Sequence, residues 1–112
     1  MAKLPNAETA IVEIDKLRHY CLSESHPVGK HKARAFRAAL GLSDTDSDRL
    51  RNLILEGALQ ADAKETETDE YGVRYELDIW MVTEGKSALV RTAWIIRIGE
   101  TSPRLTACYV SS

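Results

Sequence analysis

Apolar and polar positions follow one period in the first half of this chain and another in the second. From Asp15 to about Ala61 the apolar residues recur three and four apart, the spacing of one helix face. Asp15 is placed to cap a first helix carrying Leu17, Tyr20 and Cys21, with Ile14 packing across its start. Residues 23–28 read as a loop, because Pro27 disfavours helix at His26. A second helix is expected over 29–40, with Ala33, Phe36 and Leu40 as its apolar stripe and Gly41 ending it. A third starts near Asp46 or Ser47 and aligns Leu50, Leu53, Ile54, Gly57, Ala58 and Ala61 on one face.

Beyond Ala63 the period falls to two. Val73, Tyr75, Leu77, Ile79 and Met81 alternate with Arg74, Glu76, Asp78 and Trp80, which is the pattern of a half-buried strand. Tyr71-Gly72 and Glu84-Gly85 bracket it with turn signals. Residues 88–98 are rich in β-branched side chains and suit a second long strand. Ser102-Pro103 opens a last strand, 104–110, and the polar, threonine-rich 64–68 suits an edge strand. In this register Trp94 points to the core, while Trp80 falls on the polar face and is the exposed aromatic. The fold class expected is therefore α+β: about three N-terminal helices, then an antiparallel meander of three to four strands. A single domain, 1–112, is expected, with a helical half over about 11–61 and a sheet half over about 63–111.

Composition supports a folded core and excludes little else. Of 112 residues 44% are apolar and 29% charged. The N-terminal stretch is too polar for a secretory leader, and no apolar run approaches the roughly 20 residues of a membrane span. No membrane association is expected, and the location expected is cytoplasmic. Cys21 and Cys108 are too far apart in sequence for a zinc-type motif and are expected as reduced, buried thiols.

Charge changes the picture. The chain carries a formal net charge of -2, yet residues 25–43 hold Lys30, Lys32, Arg34 and Arg37 with no acid. Residues 62–84 hold Asp62, Glu65, Glu67, Asp69, Glu70, Glu76, Asp78 and Glu84 against Lys64 and Arg74. A basic island in an acidic chain has a local partner or an anionic ligand. On a helical wheel Lys30, Arg34 and Arg37 form a solvated stripe, Lys32 falls beside Phe36, and His31 sits with Ala35 and Ala38. The plain explanations are a snorkelling Lys32, a surface His31 and a His26 that only shapes its turn. The functional one is a titratable group with fixed positive charge, which is what metal-free phosphodiester cleavage requires. Arg91, in a largely apolar strand, needs an anionic partner or an exposed sheet face, and the plain explanation is a structural pair with Glu76 or Asp78 on the adjacent strand. Tyr109 is either a core tyrosine or a stacking platform for a base. There is no glycine-rich phosphate loop, no GxSxG and no HExxH, and the histidines lack a third ligand at metal spacing.

Several phrases together resemble a family of small bacterial toxin-like domains: LPNAE at 4–8, KLRHYCL at 16–22, HPVGKHKARAF at 26–36, LGL at 40–42, VRTAWII at 90–96 and PRLTACY at 103–109. More loosely, helices followed by a four-stranded meander resemble the barnase–EndoU–colicin–RelE ribonuclease superfamily. The resemblance implies a toxin of a bacterial toxin–antitoxin or effector system, a hydrolase cleaving RNA by attack of the ribose 2′-OH on the adjacent phosphate. It needs no metal and no cofactor. It points to His31, Lys32, Arg91 and Tyr109 as catalytic, and to His26 and Thr92 as substrate-binding, alongside Lys30 and Arg34 of the basic stripe. His31 is the expected acid or base, Lys32 and Arg91 the charge stabilisers, and Tyr109 a stacking or proton-donating group. The partners implied are RNA and a cognate antitoxin or immunity protein. This chain departs from the family's Leu-x-Thr-x-Tyr at the last strand: Ala107 stands at the threonine position, with Thr106 beside it on the opposite face. The alternative is a non-catalytic module that binds a protein partner. The two differ in whether His31, Lys32, Arg91 and Tyr109 converge on one concavity.

Overall fold

The computed structural model describes residues 2–23, 25, 27 and 30–111, and at Tyr20 the backbone only. His26, the start of the second helix before Lys30, and the burial expected of Tyr20 lie outside the described residues.

The first expected helix is short and irregular. One α turn, α1 (Ile14–Lys16), runs into a π turn, Leu17–Cys21. Its closing bond joins Leu22 N–H to Leu17 O at 2.8 Å, spanning one residue more than an α turn. The turn still buries Leu17 and Cys21, so the apolar spacing set the buried face while the hydrogen bonding deviates. Two regular helices follow, α2 (Lys30–Leu40) and α3 (Ser47–Gln60). Among the described residues the helical part is thus two full helices, this irregular turn and two short 3-10 turns, Ala7–Thr9 and Asp44–Asp46, rather than three full helices. Ahead of α3, the Asp46 carboxylate accepts the Ser43 N–H at 2.9 Å, tying down the entry to that helix.

The period change near Ala63 is where the sheet begins. Strands β1 (Ala63–Asp69), β2 (Gly72–Thr83), β3 (Lys86–Arg97) and β4 (Arg104–Val110) form an antiparallel meander in sequence order. Polar β1 is one edge, as its composition predicts, and carries an irregularity between Glu65 and Glu67. At the other edge, Ile11 extends the sheet for one step: its N–H donates to Pro103 O at 2.9 Å and its carbonyl accepts from Leu105 N–H at 3.0 Å.

The helices cover one face of the sheet, α2 against β3 and β4, α3 against β2, and the π turn against β4. Register fixes what each face holds. Leu77, Thr92 and Cys108 lie side by side under the helices, while Asp78, Arg91 and Tyr109 form the next row, on the other face. Phe36, Leu40, Leu50, Ile54 and Trp94 are buried in one core, and Leu53 packs half-buried against it. Trp80 is 62% exposed on the outer face, as the alternation predicts. Gly57 lets α3 lie directly on β2, since a Cβ there would overlap the Ile79 side chain.

No helix among the described residues is long and apolar enough to cross a membrane.

Candidate functional site

A groove runs between α1 with its π turn, α2 and the edge of β4. Lys32 stands at its centre. This half-buried lysine lines a cavity of about 310 Å³ together with His31, Ala35, Tyr109 and Val110. It also lines a neighbouring cavity of about 460 Å³ with Glu13, Asp15, Lys16, Cys21, Thr106 and Ala107. The Lys32 Nζ sits 5.5 Å from the centre of the Tyr109 ring, within cation–π range. Lys32 is thus half-buried, with its ammonium near the Tyr109 ring at the groove.

Local chain geometry explains the placement. Lys32 precedes buried Ala33 and Phe36 on α2, so its Cα lies at the rim of the buried stripe. His31, one residue earlier, is exposed and borders the same cavity. Tyr109 comes from the sheet edge. The groove joins two cationic side chains from different elements, because Lys16 Nζ donates to Thr106 O at 3.3 Å on the far side of the second cavity. Glu13 and Asp15 line that cavity too, which limits its positive potential.

The β4 edge departs from simple alternation. Ala93 pairs with Ala107 and Trp94 with Leu105, which leaves Thr106 as an extra residue in a bulge. Thr106 and Ala107 both line the second cavity, where the Thr106 backbone oxygen accepts from Lys16. The bulge is an irregularity that period-two alternation does not show. Strict period-two reading missed it, as it did Lys16 and Cys21, whose approach to β4 depends on long-range packing.

Arg91 does not line the groove. Its Nε and Nη2 donate to the two oxygens of Asp78 at 2.9 and 3.1 Å, and its Nε lies 3.6 Å from Glu76. The fork geometry matches a carboxylate on the facing residue of β2. Asp78's carboxyl is held below its ordinary range chiefly by the Arg91 hydrogen bond, against a modest burial penalty. Arg91 is in turn held more firmly protonated, first by Asp78, then by Glu76, with a smaller part from the Tyr109 side chain. The structural-pair explanation is the one its contacts follow, and an open phosphate contact is not. Arg91 is in register with Tyr109 in the outer-face row, but of the two only Tyr109, on the edge strand, lines the groove.

Thr92 is fully buried. Its hydroxyl donates to Leu77 O at 3.0 Å and accepts from Trp94 Nε1 at 2.9 Å. That hydroxyl holds the core tryptophan, and Thr92 lines neither cavity of the groove, where a substrate-binding role would place it. Lys30 and Arg34 sit on α2 outside both cavity linings. His26 lies outside the described residues. The groove thus gathers His31, Lys32 and Tyr109, adds Lys16 and Thr106, and leaves Arg91 and Thr92 to structural contacts.

No solved structure matches the chain. A relative described as "Protein three rows", from Drosophila pseudoobscura pseudoobscura, is 32% identical over 56 residues. That stretch is 50% of this chain and 4% of the fly protein. The family described as Domain of unknown function (DUF6883) matches residues 3–112, nearly the whole length, and the chain belongs to that family.

Proposed function

We propose that the groove beside β4 is the active site of a ribonuclease-like toxin that cleaves RNA without a metal. The observation that carries this reading is the meeting of His31, Lys32 and Tyr109 around one cavity from two separate elements. His31, exposed at its rim, takes the proton from a ribose 2′-OH as that oxygen attacks the adjacent phosphorus. The P–O5′ bond then breaks, the 5′-oxygen leaves with a proton taken from water, and a 2′,3′-cyclic phosphate remains. Lys32 neutralises charge on the phosphoryl oxygens, with Lys16 at the far end of the groove contacting a flanking phosphate. Tyr109 offers a ring for a base to stack on. Arg91 supports this arrangement through its register with Tyr109, rather than touching the phosphate.

The test is incubation of purified protein with total RNA in excess chelator. Expected is cleavage leaving 2′,3′-cyclic phosphate ends. His31→Ala and Lys32→Ala, checked for folding by circular dichroism, should each lower the rate by about 10²–10⁴-fold. Induction of the wild-type gene in a bacterial cell should stop growth, and the His31→Ala gene should not. No cleavage by folded wild-type protein refutes the proposal.

One observation favours the non-catalytic alternative, a module for an antitoxin or immunity partner. Trp80 and Val82 are 62% and 60% exposed beside the acidic Glu76 and Asp78 on the outer face. Tight binding of a neighbouring gene's product, lost in Trp80→Ala, together with no RNA cleavage, would make that reading the better one.

A further inference from the structure

Cys21 closes the π turn and Cys108 lies on β4, 87 residues further along. Both are buried, and the Cys108 thiol donates to the Cys21 sulfur at 3.4 Å. A disulfide requires about 2.05 Å between the sulfurs. The two sulfurs are already in contact, and a bridge shortens their separation by about 1.4 Å. Cys21 also lines the floor of the cavity shared by Lys16 and Lys32. Cys108 is not among the residues that line this cavity, so Cys21 is the nearer of the two to an oxidant that enters it.

We propose that Cys21 and Cys108 form an oxidation-responsive dithiol, in which a peroxide oxidises Cys21 and Cys108 resolves it to an intramolecular disulfide. The Cys21 thiolate attacks one peroxide oxygen. The O–O bond breaks, the sulfur gives up two electrons, and Cys21 becomes a sulfenic acid as water departs. The Cys108 sulfur then attacks the Cys21 sulfur. The S–O bond breaks and a second water leaves, carrying the Cys108 proton. The sum is two thiols and one hydrogen peroxide giving one disulfide and two waters.

The electrostatics divide the roles in the same way. The hydrogen bond from Cys108, then the Cys108 backbone, Lys32 and Lys16, outweigh burial and lower the Cys21 thiol to about 7. Cys108 is pushed up by its bond to Cys21 and by burial, so it is not the thiol that meets the peroxide; in the resolving step its proton passes to the departing hydroxyl. The bridge ties the π turn to the β4 edge and removes the thiolate from the wall beside Lys32. None of this depends on the groove being a nuclease site.

The test uses the full chain and hydrogen peroxide. After treatment the protein is denatured, alkylated and measured by mass spectrometry, with dimedone present in a parallel sample. Expected are loss of both alkylation sites, loss of two hydrogen atoms, and a peptide pair joining Cys21 to Cys108, all reversed by dithiothreitol. At partial reaction dimedone should mark Cys21 and leave Cys108 unmarked. In Cys108→Ser, treatment should leave Cys21 as a dimedone-reactive or further oxidised species, with no bridge. Retention of two alkylatable thiols in the folded wild-type protein, or oxidation of Cys21 to the sulfinic acid with Cys108 untouched, overturns the proposal. Because those outcomes are read on the wild-type chain, they stand even where the serine variant fails to fold.

Discussion

Single residues here take their roles from the partner they meet, and Arg91 is the plainest case. It sits in a strand that reads as largely apolar, so it demands an anion; Asp78 on the facing strand supplies it at 2.9 Å. Asp78's carboxyl is therefore lowered from its ordinary value by the Arg91 hydrogen bond. A depressed folded-state pKa means that the pair stabilises the protein above the ordinary carboxylate pKa. That contribution is lost as pH falls through the depressed value. Arg91→Ala should raise the Asp78 pKa toward the ordinary range, measured by NMR titration of its carboxyl carbon. An unchanged Asp78 titration in the variant would contradict the assignment.

At the scale of elements, two contacts decide where the groove opens. The first is α3 on β2, which depends on Gly57 lacking a side chain against Ile79. Gly57→Ala gains helix propensity of about 1 kcal/mol in an exposed helix, but here the added methyl has no room. The expectation is a net destabilisation of about 1–3 kcal/mol in denaturant melts. A variant more stable than wild type would show that α3 can shift without loss. The second contact is the bulge in β4, where Thr106, the extra residue, lines the cavity wall beside Ala107. The same strand carries Cys108 inward and Tyr109 to the groove edge, so β4 serves both the core and the groove.

For the molecule as a whole, one core joins the helices to the sheet, and Phe36 stands between α2 and the strands with no exposed surface. Phe36→Ala should cost about 3–5 kcal/mol by denaturant unfolding, since the ring's burial and the cavity left behind both count. A loss below about 1 kcal/mol would place Phe36 outside the cooperative core. The distribution of charge is also a property of the whole fold. The groove on the side of α2 and β4 mixes Lys16 and Lys32 with Glu13 and Asp15, whereas β1 and the outer rows of β2 carry Glu65, Glu67, Glu76 and Asp78.

The order of the elements was legible in the sequence because burial on one side imposes a period. The 3.6-residue spacing of Leu50, Ile54 and Ala58 specifies α3, and the alternation from Val73 to Met81 specifies β2 and the exposed place of Trp80. Turn residues then fix where each strand stops, and the polar make-up of 64–68 marks an edge. Local periodicity has no information about which residues meet across the chain. It therefore left open whether Arg91 binds Asp78 or a ligand, and whether Lys32 reaches Tyr109. It gave no sign of a π turn in 17–21, since π and α spacing bury nearly the same positions over so few residues. The bulge at Thr106 breaks the strict alternation on which strand reading rests. Cys21 and Cys108 meet only because the π turn packs on β4, a contact closed across 87 residues. Sequence determined what each segment is, through burial and backbone preference; tertiary packing alone decided what His31, Lys32, Tyr109 and the two thiols face.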